Sequence, residues 1–265
     1  MIKRFAVLGR PISHSLSPLI HEHFAASLGF KLIYEKIEVD EPSFAKVVKG
    51  FFAKGGVGLN ITLPYKEKAY ELADVCSSRA EKAKAANTLW FKENKLYADN
   101  TDGMGLVRSL SSALDLKSLN VLILGAGGAS RGIIQPLLDA RVAQITIANR
   151  SEERLAKMAT DFPELSYQSL SQLNGQFDLI LNATPGSLNK EQFNLPSFIL
   201  KDKTFCYDLA YHLTEKTSFV NWAEKHNLMA QDGLGMLIEQ AAEAFYIWHN
   251  LRPETAGLED ILKKR

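Results

Sequence analysis

A Gly-rich turn closes a short apolar run at Val121-Leu122-Ile123-Leu124-Gly125-Ala126-Gly127-Gly128-Ala129-Ser130. Ile134, Leu137 and Leu138 then recur at helical spacing, so the segment reads as strand, tight turn and helix start. Gly125 permits the turn. Gly127 lets a pyrophosphate approach the backbone, and the first helical N–H groups face its charge. Ser130 stands where the pattern's third glycine would be. The next strand, 144–148, runs into Asn149-Arg150-Ser151, with Arg154 one helical turn later. A site built for NAD carries an acid there for the ribose 2′-OH, whereas a cation suits a 2′-phosphate. The expected cofactor is therefore NADP(H). Taken alone, the same residues describe a Gly-rich βα turn followed by a solvated arginine.

A second set of polar residues lies nearer the N-terminus: Ser15 and Ser17; Asn60, Thr62 and Lys66; Asn87; and Asn100-Thr101-Asp102-Gly103. Asn60 and Thr62 alternate on one face of a strand, with Ile61 and Leu63 on the other. Pro64 stops that strand, and Lys66 opens the next helix. A cation there opposes the helix dipole, which points to a duty beyond solvation. Singly, each residue also has an ordinary account. Lys66 reads as a solvated lysine, Asp102 and Ser17 as N-caps, Tyr211 as a packed aromatic and Asp208 as a strand-end carboxylate. His14 suits a structural hydrogen bond, and His21, His23 and His226 lack partners spaced for a metal.

These groups need two α/β lobes to hold them. Ahead of the Gly-rich turn, strands are expected at 5–9, 32–39, 58–63, 88–91 and 96–98, with helices from Ser17-Pro18 and at 42–54, 65–73 and 104–114. After it come strands at 121–124, 144–148, 178–182 and 205–209, with helices at 129–140, 152–161, 214–225, 233–248 and 253–262. The fold class is α/β. A mostly parallel-sheet substrate lobe, 1–102, is completed by about 236–265, where C-terminal helices return to it. A Rossmann-type cofactor lobe spans 103–235. A cofactor is expected in the cleft, at the C-terminal ends of the second lobe's strands.

Composition narrows the classes. The 265 residues carry a net charge of +1, so no broad basic field awaits nucleic acid. The apolar share of 46% supports a sizeable core. Cys76 and Cys206 match no metal-ligand spacing and read as free thiols of a reducing cytosol. The run Phe5-Ala6-Val7-Leu8 is too short for a signal peptide or membrane span. A cytoplasmic protein without membrane or metal is expected, as monomer or homodimer.

In ordered combination these segments resemble the shikimate dehydrogenase family. The matching pieces are Gly9-Arg10-Pro11-Ile12-Ser13-His14-Ser15-Leu16-Ser17-Pro18, Gly58-Leu59-Asn60-Ile61-Thr62-Leu63-Pro64-Tyr65-Lys66, Ala86-Asn87-Thr88, Asn100-Thr101-Asp102-Gly103, Gly125-Ala126-Gly127-Gly128-Ala129, Asn149-Arg150-Ser151, Asn182-Ala183-Thr184, and Gly233-Leu234-Gly235-Met236-Leu237 with Gln240. The resemblance implies an oxidoreductase that reversibly reduces 3-dehydroshikimate to shikimate with NADPH, in chorismate and aromatic amino-acid biosynthesis. It implies Lys66 and Asp102 as the catalytic pair. Ser15, Ser17, Asn60, Thr62, Asn87, Tyr211 and Gln240 become substrate contacts alongside them. Asn149, Arg150, Ser151 and Arg154 become the 2′-phosphate clamp, and Ala183, Gly233 and Met236 line the nicotinamide side.

The chain departs from the family pattern twice. Glu22 follows His21 where Asn is usual, and Gly186-Ser187-Leu188 replaces a hydrophobic-Gly-Met sequence. Two rivals stand beside the main reading: a quinate/shikimate dehydrogenase, and a non-catalytic NADPH-binding sensor. Arg150, without a strand-end acid, argues against the first. Lys66 with Asp102 argues against the second.

Overall fold

Residues up to Gly105, together with Leu237–Leu258, form one compact unit of the computed structural model, which describes residues 2–187 and 192–264. Leu106–Met236 and the segment from Glu259 onward form the other. Elements run in the order β1 (Lys3–Gly9), α1 (Ser17–Ser27), β2 (Leu32–Glu38), α2 (Phe44–Ala53), β3 (Gly56–Ile61), α3 (Lys66–Leu72), β4 (Val75–Cys76), α4 (Ser78–Ala83), β5 (Thr88–Lys92), β6 (Lys95–Asp99) and α5 (Asp102–Ser111). Then follow β7 (Asn120–Leu124), α6 (Gly128–Asp139), β8 (Gln144–Asn149), α7 (Glu152–Asp161), β9 (Ser166–Ser169), β10 (Phe177–Asn182), β11 (Leu200–Asp208), α8 (Ser218–Lys225), β12 (Met229–Gln231), α9 (Leu234–His249) and α10 (Leu258–Lys263).

The first unit's sheet has the order β2-β1-β3-β5-β6-β4. β1 pairs in parallel with β2 and β3, and β4 with β6, while β3–β5 and β5–β6 are antiparallel. The hairpin between β5 and β6 turns on Glu93 and Asn94, both at positive φ, as a two-residue turn requires. Lys95 pairs with Lys92 and opens β6. β1 is central and buried along Phe5–Gly9, whereas β2 lies at the edge and alternates inside and out. Rings from α9 fill the core: Phe5 stacks on Trp248 at 5.0 Å and Phe245 on His249 at 4.2 Å. Gly58 is required here, since a Cβ would fall 2.3 Å from Trp248. His21 lies within this apolar cluster, and burial, with the neighbouring His249, pushes its pKa down to about 3.

The second unit's sheet is parallel throughout, in the order β12-β11-β10-β7-β8-β9. Counted from β7, this is the doubly wound 3-2-1-4-5-6 order. Both faces are buried. Val121 and Ile123 meet α6 and α7 on one side, while Leu122 and Leu124 share a cluster with α8 on the other. That two-sided burial is why the sequence shows an unbroken apolar run instead of alternation. The closing helix α10 begins at the division and groups with this second unit, not with the first, where its return was expected. Its Glu259 stands over Gly235, where an added Cβ would come within 2.8 Å of the carboxylate.

Several boundaries differ from expectation for local reasons. α1 begins at Ser17 itself, because Leu16 is already helical, so Ser17 is not the N-cap. β3 ends at Ile61, leaving Thr62 beyond the strand, although its N–H still bonds Leu8 O at 2.9 Å. α8 starts at Ser218 because Thr217 caps it, accepting from Val220 N. The short elements β4, α4, β9 and β12 carry too little periodicity to be read from sequence.

Candidate active site

Lys66 is the first residue of α3 and Asp102 the first of α5. The ammonium donates to Asp102 Oδ2 at 2.6 Å, with the lysine side chain 18% and the aspartate 7% exposed. Asp102 Oδ1 accepts from Asn87 Nδ2 at 2.8 Å. The carboxylate thus faces Lys66 and Asn87 instead of capping its own helix. Its backbone N–H is held by Asn100 Oδ1 at 3.1 Å. A buried carboxylate with partners on both oxygens has a defined orientation, which a solvated one lacks.

Asn87 joins the rest. Its Nδ2 also reaches Thr101 Oγ1 at 2.9 Å and Gln240 Oε1 at 3.2 Å, while Oδ1 accepts from Thr101 N–H at 2.9 Å. Gln240 in turn donates to Leu237 O, one turn back on α9. Lys66, Asn87, Asp102 and Gln240, dispersed along the chain, therefore form one polar group in the first unit. Asn60 is tied to it, donating to Asn87 O at 3.1 Å and to Thr88 Oγ1 at 3.2 Å. Ser15 Oγ donates to Ser17 Oγ at 3.2 Å, and the Ser17 hydroxyl lies beside the Tyr34 phenol, which bonds Asn60. Thr62 is half-buried, its methyl over Gly9, where a Cβ would fall 2.3 Å away.

The sequence assigns no individual role to three members of this group. Thr101 and Thr88 stand beside Asp102 and Asn87, and their buried hydroxyls bond the Asn87 side chain. Tyr34 shows only an inward position on an alternating strand.

In the second unit the turn after β7 has the form that a phosphate needs. Gly125 has φ +107, and a Cβ on it would lie 3.2 Å from Ala183 O. A Cβ on Gly127 would meet nothing within 4 Å, so the backbone is open to an approaching group at the start of α6. Gly128, Ala129 and Ala126 are partly exposed beside it. Ser130 is buried, and its hydroxyl returns to Gly125 O at 2.8 Å, bracing the turn where glycine is usual. The turn lies between β8 and β10, where the strand order reverses and open α/β sheets bind nucleotides. We expect Gly125→Ala to lower stability by roughly 1–3 kcal/mol, from left-handed strain and the Ala183 contact. It should weaken NADPH binding as well. A thermal melt and a fluorescence titration check both.

At the end of β8, Ser151 caps α7 by accepting from Arg154 N at 3.3 Å, and Asn149 Nδ2 donates to Ser151 O at 3.1 Å. Arg150 and Arg154 are exposed there. Two cations and a cap hydroxyl at a helix start suit a phosphorylated nucleotide. Ala183 follows β10 and is partly buried against the core. Asn182 orders this turn, donating to Ser187 Oγ at 3.2 Å and Asp208 Oδ1 at 2.9 Å. Burial pushes the Asp208 carboxyl above its ordinary range. Ser187, one of the departures from the family pattern, is thus held in place, while Leu188 lies outside the described residues. Gly233 must be glycine, since a Cβ would fall 2.2 Å from Leu209 O. Met236 is buried, and its N–H donates to the Tyr207 hydroxyl at 3.1 Å. Tyr211 is half-buried, and burial beside Asp232 pushes its pKa up to about 12.

Among the described residues no group of three or more His, Cys, Asp or Glu could hold a metal ion. No described helix is long and apolar enough to cross a membrane.

Three family models match in succession. They are the shikimate dehydrogenase substrate binding domain over 7–89, shikimate / quinate 5-dehydrogenase over 107–210, and the shikimate 5′-dehydrogenase C-terminal domain over 233–263. A shikimate dehydrogenase (NADP(+)) of Legionella pneumophila (strain Lens) is 52% identical over 99% of both chains. Among solved structures, an Ael1 enzyme from Pseudomonas putida superposes with a TM-score of 0.90 at 40% identity, covering 98% of each chain. The shikimate 5-dehydrogenase of Thermus thermophilus, solved with NADP(H) and shikimate, gives 0.89 at 33% identity and 99% coverage of each. With likeness of this strength along essentially its whole length, the chain belongs to the shikimate dehydrogenase family.

Proposed function

We propose that this chain is an NADP-dependent shikimate dehydrogenase, which reversibly reduces the 3-keto group of 3-dehydroshikimate to shikimate. The reading rests on one observation above the others. Lys66 and Asp102 are bonded at 2.6 Å inside a buried network that ends in Asn87 and Gln240. The Legionella relative, a shikimate dehydrogenase (NADP(+)), agrees with it.

The residues present fit the nucleotide. The open turn at Gly125–Ala129 would take its pyrophosphate, and Asn149, Arg150, Ser151 and Arg154 its 2′-phosphate, with Ala183, Gly233 and Met236 on the nicotinamide side. Bound NADPH supplies the hydride. As negative charge grows on the substrate's 3-oxygen, Lys66 stabilises it and stands ready to donate the proton. An ammonium has three N–H donors and the bond to Asp102 uses one, so the others can meet that oxygen. Asp102 keeps the ammonium aimed and accepts from a substrate hydroxyl. Asn87 and Gln240 hold further hydroxyls, Ser15 and Ser17 take the carboxylate, and Thr62 and Tyr211 complete the substrate contacts.

Residues 1–102 with the stretch that follows about 236, α10 excepted, then serve the substrate, and 103–235 the cofactor, in a cytoplasmic monomer or homodimer. The test is absorbance at 340 nm with shikimate and NADP⁺. Shikimate-dependent NADPH formation is expected, faster than with quinate or with NAD⁺. A protein that binds NADPH but forms none from shikimate would be a sensor, not an enzyme.

A further inference from the structure

Asn60 is 5% exposed, and both sides of its amide are engaged within the protein. Nδ2 donates to the backbone carbonyl of Asn87 at 3.1 Å and to Thr88 Oγ1 at 3.2 Å. A carbonyl oxygen only accepts, so the nitrogen must face it and Oδ1 must point the other way. On that side the Tyr34 hydroxyl donates to Oδ1 at 2.6 Å. The phenol has one proton, which Asn60 takes, and the Ser17 hydroxyl lies beside its oxygen. Stacking on His21 at 4.5 Å, with planes 15° apart, fixes the Tyr34 ring. Burial holds the Tyr34 pKa well above its ordinary value, so the O–H persists as a donor.

The chain of bonds continues into the site. Thr88 Oγ1 donates to Asn87 Oδ1 at 2.9 Å, and Asn87 Nδ2 donates to Asp102 at 2.8 Å. Both N–H groups of Asn60 are thus spent on Asn87 and its neighbour and are not open to a ligand.

We propose that Tyr34 is a positioning residue: its hydroxyl sets the direction of the Asn60 amide, and Asn60 thereby holds Asn87 against Asp102. The inference rests on the dehydrogenase reading above. Tyr34 touches no reacting atom and acts through two asparagines.

Tyr34→Phe tests it, because the ring and its stacking survive while the bond from the phenol to Asn60 Oδ1 is lost. With wild-type shikimate oxidation established, kcat/KM for shikimate should fall about five- to tenfold, the size of one ordinary hydrogen bond. KM for NADP⁺ should stay within twofold. In an Asn60→Ala background the same substitution should change kcat/KM by less than twofold, since the relay is already cut. A variant within twofold of wild type overturns the proposal. So does an equal change in KM for NADP⁺, or a loss undiminished in the Asn60→Ala background; either marks a purely structural residue. Wild-type protein inactive on shikimate defeats the dehydrogenase reading instead, and is seen before any variant is made.

Discussion

Lys66→Ala is expected to lower kcat for shikimate oxidation by about 10²–10⁴-fold, or ~3–5 kcal/mol of transition-state stabilisation, while KM for shikimate changes little. The ammonium lies mostly out of solvent, and its bond to Asp102 aims it. A group so placed needs little reorganisation as charge develops on the substrate oxygen. Substrate binding should survive, because Asn87 and Gln240 are hydrogen-bonded to each other independently of the lysine. Steady-state rates with saturating NADP⁺ and varied shikimate measure the split. Activity within a few-fold of wild type would remove Lys66 from the mechanism. A matching rise in KM with unchanged kcat would make it a binding residue instead.

Arg150→Ala should weaken NADPH roughly 10–150-fold and leave NADH nearly unchanged, the range for losing a charged hydrogen bond to the 2′-phosphate. Arg150 follows β8 directly, beside Ser151, with Arg154 on the first turn of α7. It is exposed, so its contribution should shrink as salt is raised. Fluorescence titration of both nucleotides at two ionic strengths measures this. Equal losses for the two nucleotides would refute the phosphate assignment and move Arg150 to a general electrostatic role.

The Gly-rich turn is legible because its chemistry is local. A strand, a left-handed glycine and a helix start follow one another within a dozen residues, and the requirement at Gly125 comes from its own φ. Serine in the third position reads only as a tolerable small residue, whereas the structure gives its hydroxyl a partner on Gly125 O. Short edge strands are less legible. β9 is Ser-Tyr-Gln-Ser, and what makes it a strand is pairing with β8, not its own pattern. The start of α1 differs from the capping expected at Ser17 because Leu16 adopts helical angles that its side chain does not announce.

The chemical identity of the site residues belongs to the sequence, since residue type decides what can donate, accept or carry charge. Lysine, aspartate, asparagine and glutamine at 66, 102, 87 and 240 already define a polar set able to handle a hydroxylated, ionisable substrate. Alternating and unbroken apolar runs likewise dictate two α/β units, because burial of one or both sheet faces leaves a period in the chain. Which lone pair meets which proton is left to the tertiary structure. Asn60 pointing its nitrogen at Asn87, Tyr34 answering its oxygen, and Asp102 turning from its own helix to Lys66 all join residues far apart in sequence. Hydrogen bonds act over about 3 Å and depend on angle, so such partnerships exist only once folding has brought the strands and helix starts together.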